Sequence, residues 1–164
     1  MSKALNKLQN KIYTLDLLMD EINNWKKQNK KIVFTNGCFD LIHLGHVELL
    51  ARSSDLGDKL IVAINSDESI IKIKGINRPI IEEESRAKQI AALDFVDAVI
   101  LFNQDNPIEI ISLVIPDIIT KGGDYKISNV VGHEIVRENN SSVVIIPLTQ
   151  GYSTTSILDR IKNE

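Results

Sequence analysis

With 164 residues, 43% of them hydrophobic and 25% charged, the chain has the size and composition of one soluble globular domain with a substantial core. A formal net charge of −3 argues against bulk electrostatic binding of nucleic acid. No apolar run approaches the ~20 residues of a membrane helix, and the N-terminus lacks the apolar stretch of a signal peptide, so neither a membrane nor a secretory role is expected. The single cysteine, Cys38, excludes an internal disulfide and fits a reducing, cytoplasmic setting. No base is evidently paired with it, so it reads as a small space-filling residue and not as a nucleophile.

In chain order, the polar residues 1–11 are expected to be disordered, and 12–164 to form one domain that opens with a helix. That helix follows Thr14, an N-cap residue, with Asp16 in its first turn. Leu15, Leu18, Ile22 and Trp25 make one apolar stripe, with Trp25 as an anchor on the sheet. A strand at 31–35 precedes a helix at about 44–55, with Val47, Leu50 and Ala51 facing inward, and a turn at Gly57-Asp58. Residues 60–64 are continuously apolar, as in a parallel strand covered on both faces. A polar loop over 65–79 leads to a helix at 83–93 and a strand at 98–102. Asn106-Pro107 supplies an N-cap and an N1 proline for a helix that ends before Pro116. A strand at 118–120, a helix near 130–139, a strand at 143–146 and a helix at 153–162 complete the chain.

This alternation predicts an α/β fold: a doubly wound, Rossmann-like parallel sheet of five strands with right-handed crossovers and helices on both faces. Ligands of such sheets sit beyond the carboxyl ends of the strands, at the switch point. The loops 36–46, 65–79, 121–125 and 148–153 all follow strands there.

The most informative of these loops holds His43-Leu-Gly-His46 at the join of a strand and a helix. A helical turn puts both imidazoles on one face, next to the free N–H groups and positive dipole end of a helix start, which is an anion site. Gly45 removes a side chain where a nucleotide approaches the backbone. One Cys and one further His, His133, leave too few ligands for a zinc site, and His133 reads as exposed or satisfied by its own helix. Lys72, Lys74 and Arg78 place three cations in one loop, and Arg86 stands on the next helix. Lys121-Gly-Gly-Asp-Tyr125 follows the fourth strand. Ser153, Thr154, Thr155 and Ser156 put four successive hydroxyls at the last helix start, more than one cap needs.

The strand, Thr-Asn-Gly-x-Phe-Asp and H-x-G-H together resemble the nucleotidylyltransferase superfamily, whose histidine pair holds a nucleotide triphosphate. In order, Phe34–Asp40, His43–His46, Asn65-Ser-Asp67, Lys74-Gly75 with Arg78-Pro79, Lys121–Tyr125 and Gly151–Thr155 are similar to its sugar-phosphate branch. That branch is the adenylyltransferases that make ADP-heptose from D-glycero-β-D-manno-heptose 1-phosphate for lipopolysaccharide core synthesis. The likeness runs from about Ile12 to Ile161.

The resemblance implies attack of a sugar 1-phosphate on the α-phosphorus of ATP with loss of pyrophosphate. It implies catalytic roles for His43, His46, Lys72 and Lys74. Thr35, Asn36, Gly37, Phe39, Gly45, Lys121, Gly122, Asp124, Ser153, Thr154 and Thr155 would bind nucleotide. Asn65, Asp67, Arg78, Arg86 and Tyr125 would bind the acceptor. Mg²⁺ on the phosphates would be oriented by Asp40 or Asp67. It further implies a heptose kinase in a separate protein, since this length leaves no room for one, and it is compatible with a homodimer. The alternative is cytidylyl transfer to glycerol 3-phosphate or a related small phosphate ester. A non-catalytic nucleotide-binding module is disfavoured by the intact histidines, lysines and hydroxyls. A fragment of a class I tRNA synthetase is disfavoured by the acidic charge and the absence of an anticodon-binding extension.

Overall fold

The computed structural model describes residues 2–162. Its centre is a parallel sheet of six strands: β1 (Ile12–Tyr13), β2 (Ile32–Gly37), β3 (Lys59–Asn65), β4 (Ala98–Phe102), β5 (Ile118–Gly122) and β6 (Ser142–Ile146), in the order β1-β4-β3-β2-β5-β6. Around it lie α1 (Lys3–Gln9), α2 (Leu15–Lys27), α3 (Leu44–Ser54), α4 (Asp67–Lys74), α5 (Glu83–Ala91), α6 (Ile108–Val114), α7 (His133–Glu138) and α8 (Thr154–Lys162). No helix among the described residues is long and apolar enough to cross a membrane.

Successive strand residues point to opposite faces, so each central strand feeds two cores. Ile32, Phe34, Ile61 and Ala63 join Leu18, Ile22 and Trp25 of α2 and Ile110, Ile111 and Val114 of α6 on one face. Val33, Leu60, Val62 and Ile64 join Leu50 of α3 and Ala87, Ile90 and Ala91 of α5 on the other. This is why the strands read as unbroken apolar runs in the sequence. At the end of α3, a Cβ on Gly57 would stand 2.7 Å from the carbonyl oxygen of Lys31, so the turn into β3 has room only for glycine.

Several local details depart from expectation. The sheet has six strands and not five, because Ile12 and Tyr13 pair with Val99 and Ile100 at its edge. Two residues are too few to show a period, so only their distant partner reveals them. Where disorder is expected at the N-terminus, α1 forms, with the Ser2 hydroxyl accepting from the N–H of Leu5. Lys11 ties the following turn to the carbonyl oxygen of Leu93 at 3.0 Å. Within the expected loop 65–79 lies α4, capped by Ser66, which accepts from the N–H of Ser69, and ended by Gly75 at φ 91°. Of the predicted stripe on α2, Leu15 is exposed while Leu18, Ile22 and Trp25 are buried. The helix expected near 130–139 is a 3-10 turn over Ile127–Asn129 followed by the short α7.

Candidate functional site

From β2 the chain winds outward to β3 and β4, then returns to the opposite side of β2 for β5 and β6. The switch point therefore lies between β2 and β5, whose carboxyl ends carry Asn36-Gly37-Cys38 and Lys121-Gly122. Two cavities open there and share Asn36, Gly37, Cys38 and Lys121 as a wall, with Gly122 in the first alone. One, of about 320 Å³, also touches Phe39, His43, Gly45, His46, Leu49, Leu148, Thr149, Tyr152, Ser153 and Thr154. The other, of about 430 Å³, adds Asn65, Ile73, Lys74, Asp105, Asn106, Pro107, Tyr125 and Asn129 to Val131.

The imidazoles of His43 and His46 stack with their centroids 3.8 Å apart, and Phe39 meets His46 edge-on at 5.2 Å. His43 is the N-cap of α3, and its carbonyl oxygen accepts from the N–H groups of His46 and Val47. Among the described residues, the N–H groups of Leu44 and Gly45 at the helix start have no hydrogen-bond partner. The Nδ1 atoms of both rings are buried without a protein partner. Burial lowers the His43 pKa, and burial, then the adjacent His43, takes His46 down to about 4, with the Leu41 carbonyl pulling upward and Lys74 adding a lesser downward push. Both rings are therefore neutral at pH 7, each offering one N–H. A Cβ on Gly45 would fall 3.1 Å from the His43 ring and 3.6 Å from the carbonyl oxygen of Tyr152, so glycine keeps the two sides of the cleft close.

The opposite wall comes from the end of the chain. Ser153 and Ser156 cap α8 reciprocally: Ser153 Oγ accepts from the N–H of Ser156 at 3.0 Å, and Ser156 Oγ accepts from the N–H of Ser153 at 3.2 Å. Thr154 is half-buried in the first cavity, whereas Thr155 is exposed and lines neither. Thr149 donates to Glu48 Oε2 at 2.6 Å, which ties the segment before α8 to α3.

Other expected site residues are occupied elsewhere. Asp40 is buried, and its oxygens accept from the N–H groups of Ile80 and Ile81 and from Nε of Arg78 at 2.6 Å. Burial pushes its carboxyl up, but those N–H groups and the guanidinium outweigh this and hold it below the ordinary carboxylate range. Asp67 and Glu83 each accept from the other's backbone N–H at the facing starts of α4 and α5. Arg86, fully buried, donates to Asp67 Oδ1, to the carbonyl oxygen of Cys38 and to that of Ile81 at 2.7, 2.6 and 2.9 Å. Asp40, Asp67, Arg78 and Arg86 thus brace the site's loops, and the expected metal ligands are already engaged. No cluster of three His, Cys, Asp or Glu among the described residues could hold a metal ion.

Lys72 pairs with Glu68 on the outside of α4 at 2.8 Å and lines neither cavity, whereas Lys74 faces the second. Buried Thr35 donates to the carbonyl oxygen of Thr120 across the sheet, and exposed Asp124 lines neither cavity. Cys38 lies in the shared wall, its sulfur 3.8 Å from Asn65 Oδ1. His133 lies 3.0 Å from the Val130 carbonyl oxygen through Nδ1, satisfied by its own turn.

Sequence reasoning missed Leu49, Leu148 and Thr149 in the first cavity and Asp105, Asn106 and Asn129 in the second. Leu49 lies off the inward stripe of Val47, Leu50 and Ala51 on α3, one turn after His46, and Asn106 was readable only as a cap. It does accept from the N–H of Ile108, at 3.1 Å, while also facing the cavity.

A family model described as cytidylyltransferase-like matches residues 34–160. The bifunctional protein HldE of Citrifermentans bemidjiense is 47% identical over 151 residues, covering 92% of this chain and 31% of that protein. HldE of Koribacter versatilis is 44% identical over 152 residues, covering 93% and 31%. The chain therefore spans about a third of the length of these relatives. The lipopolysaccharide core biosynthesis protein of Thermoplasma volcanium is 33% identical with a TM-score of 0.60, over 76% of this chain and 99% of that one. Pantoate-beta-alanine ligase of Francisella tularensis shares the fold alone, with a TM-score of 0.60 at 15% identity over 92% of this chain and 76% of that one.

Proposed function

We propose that this chain, which belongs to the cytidylyltransferase-like family, transfers AMP from ATP to a sugar 1-phosphate, D-glycero-β-D-manno-heptose 1-phosphate, releasing pyrophosphate and forming ADP-heptose for lipopolysaccharide core synthesis. The observation that carries this reading is the convergence of His43 and His46 with Ser153 and Thr154, from opposite ends of the chain, on one cavity beside two helix starts. Such a cavity suits a triphosphate: neutral N–H groups, hydroxyls and helix ends spread over three phosphates without a buried carboxylate to repel them. Identity above 40% with proteins named HldE, and 33% with one named for lipopolysaccharide core biosynthesis, supports the sugar-phosphate acceptor.

The second cavity is proposed to take the acceptor. Lys74 offers a charge for its phosphate, and Asn65, Asn106, Asn129 and Tyr125 offer donors and acceptors for its hydroxyls. A phosphate monoester carries roughly −1.5 to −2 at neutral pH, so the nucleophile is already ionised and the chain needs no general base. The work of the protein is alignment of two repelling anions and stabilisation of the leaving pyrophosphate. The side chains of the described residues do not form a Mg²⁺ cage, so the ion is proposed to enter as part of the substrate MgATP, bound to phosphate oxygens and water. A sugar kinase would deliver the acceptor, and the cytoplasm, where ATP is available, is the proposed setting.

The test is ³¹P NMR of the protein with MgCl₂, each nucleoside triphosphate in turn, and a panel of sugar 1-phosphates together with glycerol 3-phosphate. The expected product is an ADP-sugar from ATP and the heptose 1-phosphate. A CDP-glycerol signal in its place, or no diphosphate product from any pair, overturns the reading.

A further inference from the structure

We propose that Lys121 is a catalytic residue whose ammonium stands between the two cavities and holds the phosphoryl group that passes from one to the other. This deepens the adenylyltransferase reading and rests on it. Lys121 is the cationic side chain that the two cavities share: the first has no other lysine or arginine in its wall, and the second adds only Lys74. It projects from the end of β5 toward β2, where its Nζ meets the carbonyl oxygen and the Oδ1 of Asn36, each at 3.4 Å, and lies 5.9 Å from the centre of the Tyr125 ring.

Among the described residues these long contacts are all it has, with no carboxylate within ion-pairing distance. Other half-buried lysines differ. Lys59 pairs with Asp97 at 2.7 Å, and Lys11 donates to the Leu93 carbonyl oxygen at 3.0 Å. A cation taken from water and given only weak partners costs stability, so its place in the wall is unexplained by folding. Burial accordingly shifts Lys121 toward its neutral form. An anion in either cavity reverses that balance, and an anion crossing between them does so most.

The chemistry balances without any proton leaving Lys121. An oxygen of the acceptor phosphate forms a bond to the α-phosphorus of ATP while the bond from that phosphorus to the bridging oxygen breaks. The electron pair goes out with pyrophosphate. Charge on the equatorial oxygens of the α-phosphoryl is what a fixed ammonium at the shared wall stabilises, more in the transition state than in either bound reactant.

The experiment compares wild type, Lys121→Met and Lys121→Arg by thermal unfolding, ATP titration calorimetry, and kcat and KM for both substrates. Lys121→Met should unfold no earlier than wild type, since it removes a buried charge, and should bind ATP within about threefold. Its kcat at saturation should fall by roughly 10²–10³, the scale for one oriented electrostatic group. Lys121→Arg, which keeps the charge, should recover part of that loss, and it carries the test by itself if the methionine variant fails to fold. A raised KM for either substrate with kcat unchanged would make Lys121 a binding residue only and overturn the proposal. So would wild-type kcat in Lys121→Met, or an Arg variant no faster than Met. Wild type that turns over no sugar 1-phosphate would instead overturn the adenylyltransferase reading itself.

Discussion

The rings of His43 and His46 lie face to face with their centroids 3.8 Å apart, and neither Nδ1 has a protein partner. Two imidazoles so close resist double protonation. His46, lowered to about 4 in the folded chain, is neutral there while its unfolded counterpart, near 6.5, takes a proton. The stability that this neutral ring contributes is complete above pH 6.5 and declines as pH falls toward about 4. Tm measured across this range should fall more steeply for wild type than for His46→Gln. Parallel profiles would refute the assignment.

His46→Ala should lower kcat for pyrophosphate release by roughly 10²–10³, the loss of one positioned donor to the triphosphate. Because the ring is half-buried beside Phe39, its Tm should be recorded alongside the rate. Turnover at the wild-type rate would remove the histidine pair from the mechanism.

Arg86→Ala should act on stability before it acts on binding. The guanidinium is fully buried and satisfies Asp67 and the carbonyl oxygens of Cys38 and Ile81. Breaking such a buried network costs about 3–5 kcal/mol. Urea unfolding should show that order of loss, whereas an unchanged midpoint with a raised acceptor KM would restore a substrate role.

Asp40→Asn separates bracing from metal binding. Loss of the Arg78 ion pair should lower Tm, while the Mg²⁺ concentration for half-maximal rate stays that of wild type. A large shift in Mg²⁺ dependence would return Asp40 to the metal. The carboxyl is held below its ordinary value, so its stabilisation is present above about pH 3.9 and is lost only as pH falls through the folded value.

Lys72→Ala and Lys74→Ala should diverge although the residues are two positions apart. Lys72 is spent on an exposed, solvent-screened pair with Glu68, and its removal should leave kcat/KM within about twofold. Lys74 faces the second cavity, and its removal should raise the acceptor KM about tenfold or more, the scale of one charge-assisted hydrogen bond. Equal effects in the two variants would contradict this placement.

The sequence by itself determined the alternation of strands and helices, the two-faced burial of β3, and the loops that follow the strands. These follow from periodicity, caps and turn residues that act within a few positions along the chain. The helix starts at His43-Leu-Gly-His46 and at the hydroxyls of 153–156 were legible for the same reason, because those residue types at close spacing mark where a helix begins. The tertiary structure alone decided which charges remain available. Asp40 is consumed by Arg78 and Asp67 by Arg86, while Lys121 stands almost unpartnered in a wall between two cavities. Ile12 and Tyr13 became a strand only on meeting Val99 and Ile100. A charge is spent or spared by the partner that folding brings to it, and most of these partners lie tens of residues away, beyond the reach of any local pattern.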